Sequence, residues 1–392
     1  MGPRSFMRTT RAAATAGLLA LACQSVPAST SGSVAVDQQF RTIDHSLHDG
    51  RYAEAEVLAH TTLAALDAEG SGDSREAALF ADRLVEALLL GHRGLKPEAI
   101  AVARRAVALK ERSFGAMDAE TGRSLDRLGR VLTTREEYDE ATIVLQRALL
   151  LLEDELGPGH ADVATARSST GLLLLSQRKL DEALAWFEQS REIRESVLGG
   201  DDPTVGETEQ MIGTCLSLQG NFQGAYTHLR RALEIYEQAL GPVHPRVAEA
   251  LESLGVAQGF NDELVESQLS LERALRIVDA TAGRDSAMAA PLLSDLGYTH
   301  LAAAEWTKAS RYFERSLAIH VRESGEHNRL AASELLALGI VRNDMGDAAG
   351  AAAFEARAVA ILEQAHDPWH PELGRALRHL GVSLTNLGRF AE

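Results

Sequence analysis

Apolar residues recur along most of the chain at the spacing of one helix face. Between residues 118 and 156, Leu125, Leu128, Val131 and Leu132 fall at three- and four-residue steps. That spacing stacks side chains on one side of an α-helix and predicts a first helix, helix A. A polar run at Arg135, Glu136 and Glu137 breaks the stripe. The stripe resumes with Ala141, Leu145, Ala148, Leu149 and Leu152, which predicts a second helix, helix B. Helix B is expected to stop at Leu156–Gly157, with the glycine in the left-handed conformation. Pro158, Pro203, Pro242, Pro245, Pro291, Pro368 and Pro371 lie between a helix B and the next helix A, or in its first turn. Proline fits there because the first turn has N–H groups without partners anyway.

This unit repeats every 42 residues. Gly115, Gly157, Gly199, Gly241, Gly283 and Gly325 form one series, and Gly129, Gly171, Gly213, Gly255, Gly297, Gly339 and Gly381 a second. Ala99, Ala141, Ala183, Ala225, Ser267, Ala309 and Ala351 form a third, and Ala106, Ala148, Ser190, Ala232, Ala274, Ser316 and Ala358 a fourth. Near the start the phase slips by two: Tyr52-Ala53-Glu54-Ala55 matches Tyr138-Asp139-Glu140-Ala141. The small residues let helix backbones approach closely, while Leu128 and Leu145 fill the space beside them. One helix pair cannot bury its apolar face alone, so neighbours must stack. The 392 residues therefore predict one long array rather than several globular domains.

The recurring phrases resemble the tetratricopeptide repeat, in its long kinesin-light-chain-like version. They include Leu240-Gly241-Pro242-Val243-His244-Pro245, Leu254-Gly255, Asp181-Glu182-Ala183 and Arg231-Ala232-Leu233-Glu234-Ile235-Tyr236. The resemblance covers residues 36–392 and implies an all-α, right-handed α-solenoid of about eight two-helix repeats plus an incomplete last one. It also implies a concave face lined by helix A and a role in protein or peptide binding.

Counted from the glycine series, groove-facing positions include Arg123, Asp126, Arg127, Arg130 and Thr133 around Gly129. Around Gly213 and Gly255 they are Glu207, Gln210, Glu249 and Glu252; further on come Tyr298, Asn343 and Asp344. Around Gly381 they include Arg375, Arg378, His379 and Asn386. The expected groove is basic near both ends and acidic in the middle, an arrangement that orients a peptide of mixed charge. The competing reading is ordinary solvated helix faces with i,i+4 pairs. The Lys and Asn pattern of tetratricopeptide sites that clamp a C-terminal carboxylate is absent.

The first segment reads as an address. Arg4, Arg8 and Arg11 precede a short apolar run from Ala12 to Ala22, as in a secretory signal over residues 1–22. Leu19-Ala20-Leu21-Ala22-Cys23 resembles a bacterial lipobox, with Ala20 where a leucine is usual and Cys23 as the lipidated residue. Ala20-Leu21-Ala22 also fits ordinary cleavage and secretion. Residues 23–35, rich in Ser, Ala and Thr, then form a flexible tether. The expected location is the bacterial cell envelope, with membrane contact only through the lipid, or secretion. Cys215 falls in an apolar helical run and is expected to be buried and inert.

Composition narrows the partners. Asp and Glu outnumber Lys and Arg 56 to 39, giving a formal charge of −17. Nucleic-acid phosphates demand basic patches, so nucleic acid is excluded as a partner. No P-loop, Gly-x-Ser-x-Gly elbow, His-Glu-x-x-His or Cys-x-x-Cys occurs, so no catalytic residue, cofactor or metal site is expected. His366 and His370 stand four apart, but Pro368 between them opposes a helix, and His370-Pro371 aligns with His244-Pro245 and with His160. A helix-entry turn is the expectation there. Trp186, beside Phe187, is expected to be packed. Glu392 falls in register with Glu98, Glu140 and Glu182, so the sequence stops where a helix B should begin and reads as a truncated product. Similar arrays in bacteria are joined to caspase-like peptidase or protein kinase modules. A recruiting arm of such an enzyme competes with a free-standing scaffold, and stacking of open repeat ends between chains is a third reading.

Overall fold

A computed structural model describes residues 31–365 and 371–389. Cys23, the His366–His370 motif and Glu392 lie outside them. Among the described residues there are helices and turns and no strand. The helices are α1 (Ser31–His48), α2 (Tyr52–Ala68), α3 (Arg75–Leu90), α4 (Pro97–Ser113), α5 (Ala119–Thr134) and α6 (Tyr138–Leu156). They continue with α7 (Ala161–Ser176), α8 (Leu180–Leu198), α9 (Pro203–Leu218), α10 (Phe222–Leu240), α11 (Pro245–Phe260) and α12 (Leu264–Thr281). The last are α13 (Ala289–Ala302), α14 (Trp306–Ser324), α15 (Arg329–Asp344), α16 (Ala348–Ala365) and α17 (Pro371–Asn386). Odd-numbered helices are A helices and even-numbered ones are B helices.

The chain divides into residues 1–42 and 43–392. The described part of the first unit is the opening stretch of α1, where Thr42 Oγ1 donates to Gln38 O at 2.8 Å. In the second unit each helix packs on its partner and on the following helix. Consecutive A helices also touch, whereas consecutive B helices do not among the described residues. Closer spacing on one side than the other curves the array with helix A inside.

The repeat follows from three local devices. Helix A opens on a side-chain cap in the same phase: Asp118, His160, Asp202, His244 and Asn328 each accept from a backbone N–H two or three residues on. Such a cap satisfies one of the otherwise unpaired N–H groups of the first turn. The histidine of the helix-entry phrase is thus a cap, accepting at Nδ1 at 3.1 Å in both His160 and His244. Helix B ends at the first glycine series, but not in the left-handed helical well expected for Gly157. Its φ of 84° and ψ of 154° put it in a region essentially restricted to glycine. The extended ψ turns the chain outward so that it reaches the next cap.

The third device is contact between the second glycine series and helix B. A Cβ on Gly129 would overlap Leu145; on Gly171 it would stand 2.7 Å from Phe187, on Gly213 2.6 Å from Leu229, and on Gly255 2.7 Å from Leu271. The third and fourth series are buried throughout. Cys215 is a buried free thiol, pushed up to about 12 by burial. Trp186 is only half-buried, because Phe187 takes the inward position under Gly171.

The second unit also folds back on itself. His244 Nε2 donates to His48 O at 3.0 Å, and a Cβ on Gly50 would meet the Pro245 ring. Tyr52 is buried in the same apolar cluster as Tyr236, Val247 and Met288. Arg93 pairs with Glu323 at 3.3 Å and Arg329 with Glu136 at 2.8 Å. One turn of the coil therefore rests against the next.

Candidate functional site

Because the A helices are drawn together, side chains from several repeats meet around the inner surface. Arg123, Asp126, Arg127 and Arg130 of α5 line a cavity of about 290 Å³ with Glu86 of α3, Asp162 and Ser169 of α7, Glu207 of α9 and Arg246 of α11. Glu86 receives Arg127 Nε at 3.1 Å and Arg130 Nη1 at 3.2 Å. Arg123 Nη2 pairs with Asp162 at 2.7 Å. Glu207 faces Arg194 at 3.5 Å and Arg246 at 3.8 Å, and Arg246 also pairs with Glu249 at 3.2 Å.

These pairings set the titration of the wall. Burial alone would raise Glu86, but Arg130 and Arg127 hold it down at about 2. Burial works against Glu207 as well, and Arg246 and Arg194 outweigh it, so its pKa is lowered. Asp126 differs: burial raises it, and its Oδ1 has no hydrogen-bond partner. The wall is a belt of alternating fixed charges rather than a basic patch. Among the described residues no three His, Cys, Asp or Glu side chains converge as a metal site.

A second cavity, of about 600 Å³, lies farther along the inner face. Glu252 of α11, Asp295 and Tyr298 of α13 and Glu334 of α15 form one wall, and the His92–Lys96 turn after α3 forms the other. The sequence-derived candidates thus separate. Arg123, Arg127, Arg130 and Glu207 meet in the first cavity and Glu252 and Tyr298 in the second. Glu249 lies in a third space between them, of about 330 Å³, that is also lined by Arg130 and Arg246. Asn343 turns to the interior, donating to Ser383 at 2.6 Å and to Glu355 at 3.3 Å. Arg375 and Arg378 are exposed on α17 and line none of these cavities.

Sequence reasoning missed Glu86, Asp162, Arg194 and Arg246, which pair with the α5 and α9 charges. A signal existed. Laterally adjacent A helices place residues 39 to 44 apart side by side, as in Arg123–Asp162, Arg127–Glu86, Arg130–Glu86 and Gln210–Ser253. Reading charges at one repeat's distance finds these pairs; reading them only four apart does not. Local pairs exist as well, as in Arg246–Glu249.

Curved stacking of antiparallel pairs, with helix A inside and small residues at the close approaches, defines an all-α, right-handed α-solenoid of tandem two-helix repeats. The chain belongs to the tetratricopeptide repeat family: one model of that repeat matches residues 120–196, 162–225 and 204–280, and another matches 292–329. Together they span just over half of the sequence. Among solved structures the chain is similar to a Rap protein complexed with Competence and Sporulation Factor, at 13% identity and a TM-score of 0.57, covering 92% of this chain and 99% of that one. It is also similar to BtubC (BKLC) from P. vanneervenii, at 21% identity and a TM-score of 0.46, over 58% of this chain and 92% of that one. A protein of Podosopora anserina described as a kinesin light chain with nearly identical TPR-like repeats gives 18% identity and a TM-score of 0.39, over 51% and 94%. No curated protein matches the sequence.

Proposed function

We propose that the chain is an exported, lipid-anchored scaffold that holds an extended segment of a partner protein against its helix A face, with no catalysis of its own. The observation that carries this reading is the inner wall. Charges of both signs from seven A helices stand around open space of several hundred Å³. Fixed, alternating charges select register and direction in a bound segment. The Rap protein of similar fold was solved with Competence and Sporulation Factor bound, which supports binding as the use of such an array. Export rests on Arg4, Arg8, Arg11 and the apolar run before Cys23, and the bacterial envelope is the proposed location. No helix among the described residues is long and apolar enough to cross a membrane, so in this reading the Cys23 lipid makes the membrane contact.

Two experiments test it. A photo-crosslinking residue at Tyr298, inside, should trap a protein in the envelope fraction, while the same residue at Ile143, exposed on the outer face of α6, should trap none. Equal labelling at both positions would refute the concave-face reading. Radiolabelled palmitate should label the chain and be lost in Cys23→Ala; label retained in that variant removes the anchor.

A further inference from the structure

The larger cavity carries a charge imbalance that its own side chains do not correct. Its three cations are already engaged. Arg93 pairs with Glu56 at 2.6 Å and Glu323 at 3.3 Å, Lys96 with Glu56 at 3.2 Å, and Arg329 with Glu136 at 2.8 Å and Glu372 at 3.3 Å. Glu252, Asp295 and Glu334, from three successive A helices, pair with no Lys or Arg. Glu334 is 4% exposed; its Oε1 accepts from Ser316 at 3.1 Å, and its Oε2 has no partner. The nearest basic group is His320, at 3.9 Å. Burial pushes His320 down to about 4, so it is neutral near pH 7 and supplies no charge.

A buried carboxylate oxygen without a donor is expensive, and two further half-buried carboxylates around the same space, neither paired with Lys or Arg, raise the penalty. A ligand that brings its own cation and N–H donors removes it. The wall also offers Tyr298, 46% exposed, whose ring is a suitable face for the stem or head of a cationic side chain. The space, about 600 Å³, is large enough for one long side chain together with the backbone that carries it.

We propose that this cavity is a binding site for one alkylammonium or guanidinium group, with Glu334, Asp295 and Glu252 as its counter-charges and Tyr298 as its apolar wall. This rests on the scaffold reading above and deepens it: the partner segment places an Arg or Lys side chain here. Burial pushes Asp295 and Glu334 up to about 7 and Glu252 well above its ordinary range. Entry of a cation favours their charged forms, so binding at neutral pH releases protons.

The test is calorimetric titration of the full chain with n-butylguanidinium, with 1,5-diaminopentane, and with a blocked pentapeptide holding one Arg between glycines. Each is run at pH 7 in two buffers of different ionisation enthalpy. The expected result is binding of the guanidinium on the order of 1 mM, with a buffer-dependent heat that reports proton release. Glu334→Gln and, on another helix, Glu252→Gln should each weaken it about tenfold and reduce the proton release while the thermal midpoint is kept or raised. Saturable binding by the peptide but not the diamine assigns the group to a protein partner. The reverse leaves the cation site standing and counts against the peptide-borne source. No heat from any probe at tens of millimolar, or equal binding in both variants, overturns the cation site. In that event crosslinking at Tyr298 still decides the scaffold reading separately.

Discussion

At the scale of single residues, one position breaks the repeat's own rule. Under the second glycine series stand Leu145, Phe187, Leu229, Leu271 and Phe313, all buried and all in contact with a glycine. The next position in phase is Glu355, also fully buried, lying against Gly339. Its Oε1 accepts from Asn343 at 3.3 Å and its Oε2 accepts from nothing. Replacing a poorly satisfied buried charge with an apolar residue of similar volume is often stabilising. Glu355→Leu is therefore expected to raise the free energy of unfolding by about 2 kcal/mol, read from urea denaturation; a lower midpoint would show that the Asn343 contact outweighs packing. The pH dependence belongs to this scale too. Asp295 and Glu334, at about 7 when folded, stand well above their unfolded values near 4. The native state keeps protons that the unfolded chain has shed, so this stability is complete in acid and is lost as pH rises through 7. His320, His92 and His244 act in the opposite sense, because burial lowers each of them. Their contribution grows with pH and is complete a little above the ordinary histidine value of about 6.5. From pH 6.5 to 8 the carboxylates dominate, and stability should fall by about 1 kcal/mol. The Asp295→Asn/Glu334→Gln double variant should no longer fall over that range, because the histidine contribution that remains has the opposite sign, and a wild-type curve already flat there would contradict the raised values.

At the scale of the element, the A–B turn holds a series that the sequence conceals. Glu136, Arg178, Gly220, Asp262, Ala304, Gly346 and Gly388 stand 42 residues apart, and all have φ between 62° and 81° except Ala304, at 56°. Three are glycine and four are not, so no letter pattern announces the turn. Each of the four non-glycines bears the strain of a left-handed backbone. At Ala304, exposed and without a side-chain role, glycine should relieve it: Ala304→Gly is expected to stabilise by about 1 kcal/mol, measured by denaturant midpoint. A loss instead would mean that unfolded-state entropy dominates at this site. The helices themselves were legible because their stripe has the helical period and their close approaches demand small residues at fixed phase. The helix A entry was legible in part, through His244-Pro245. The end of helix B was placed at the right residue with the wrong conformation, since glycine permits several positive-φ states and its identity does not choose among them.

At the scale of the whole molecule, the informative contacts join residues about 200 apart. Gly50 meets Pro245, His244 donates to His48, and Arg329 pairs with Glu136. A 42-residue period fixes the neighbour of each repeat but not the pitch of the coil, which sums small rotations between repeats. That is why the α5 arginines could be placed on the inner face from sequence, while the Arg246 that completes their charge belt could not. The same closure builds the larger cavity, whose opposing walls come from the His92–Lys96 turn and from α11, α13 and α15. Gly50 provides a controlled test of it. Its φ is +74°, and a Cβ there would strike the Pro245 ring; Gly70 has nearly the same φ, +75°, with open space around it. Gly70→Ala should cost only the left-handed strain, about 1 kcal/mol. Gly50→Ala bears that strain and must also separate the two turns, because the proline ring has no flexible end to move aside. It should therefore lose more stability than Gly70→Ala. It should also speed amide exchange around Ser46–Ala53 and in the first turn of α11, which the Gly70 variant should leave protected. Equal losses and matching exchange patterns in the two variants would mean that the turns do not rest on each other in solution, and the cavity between them would lose its second wall.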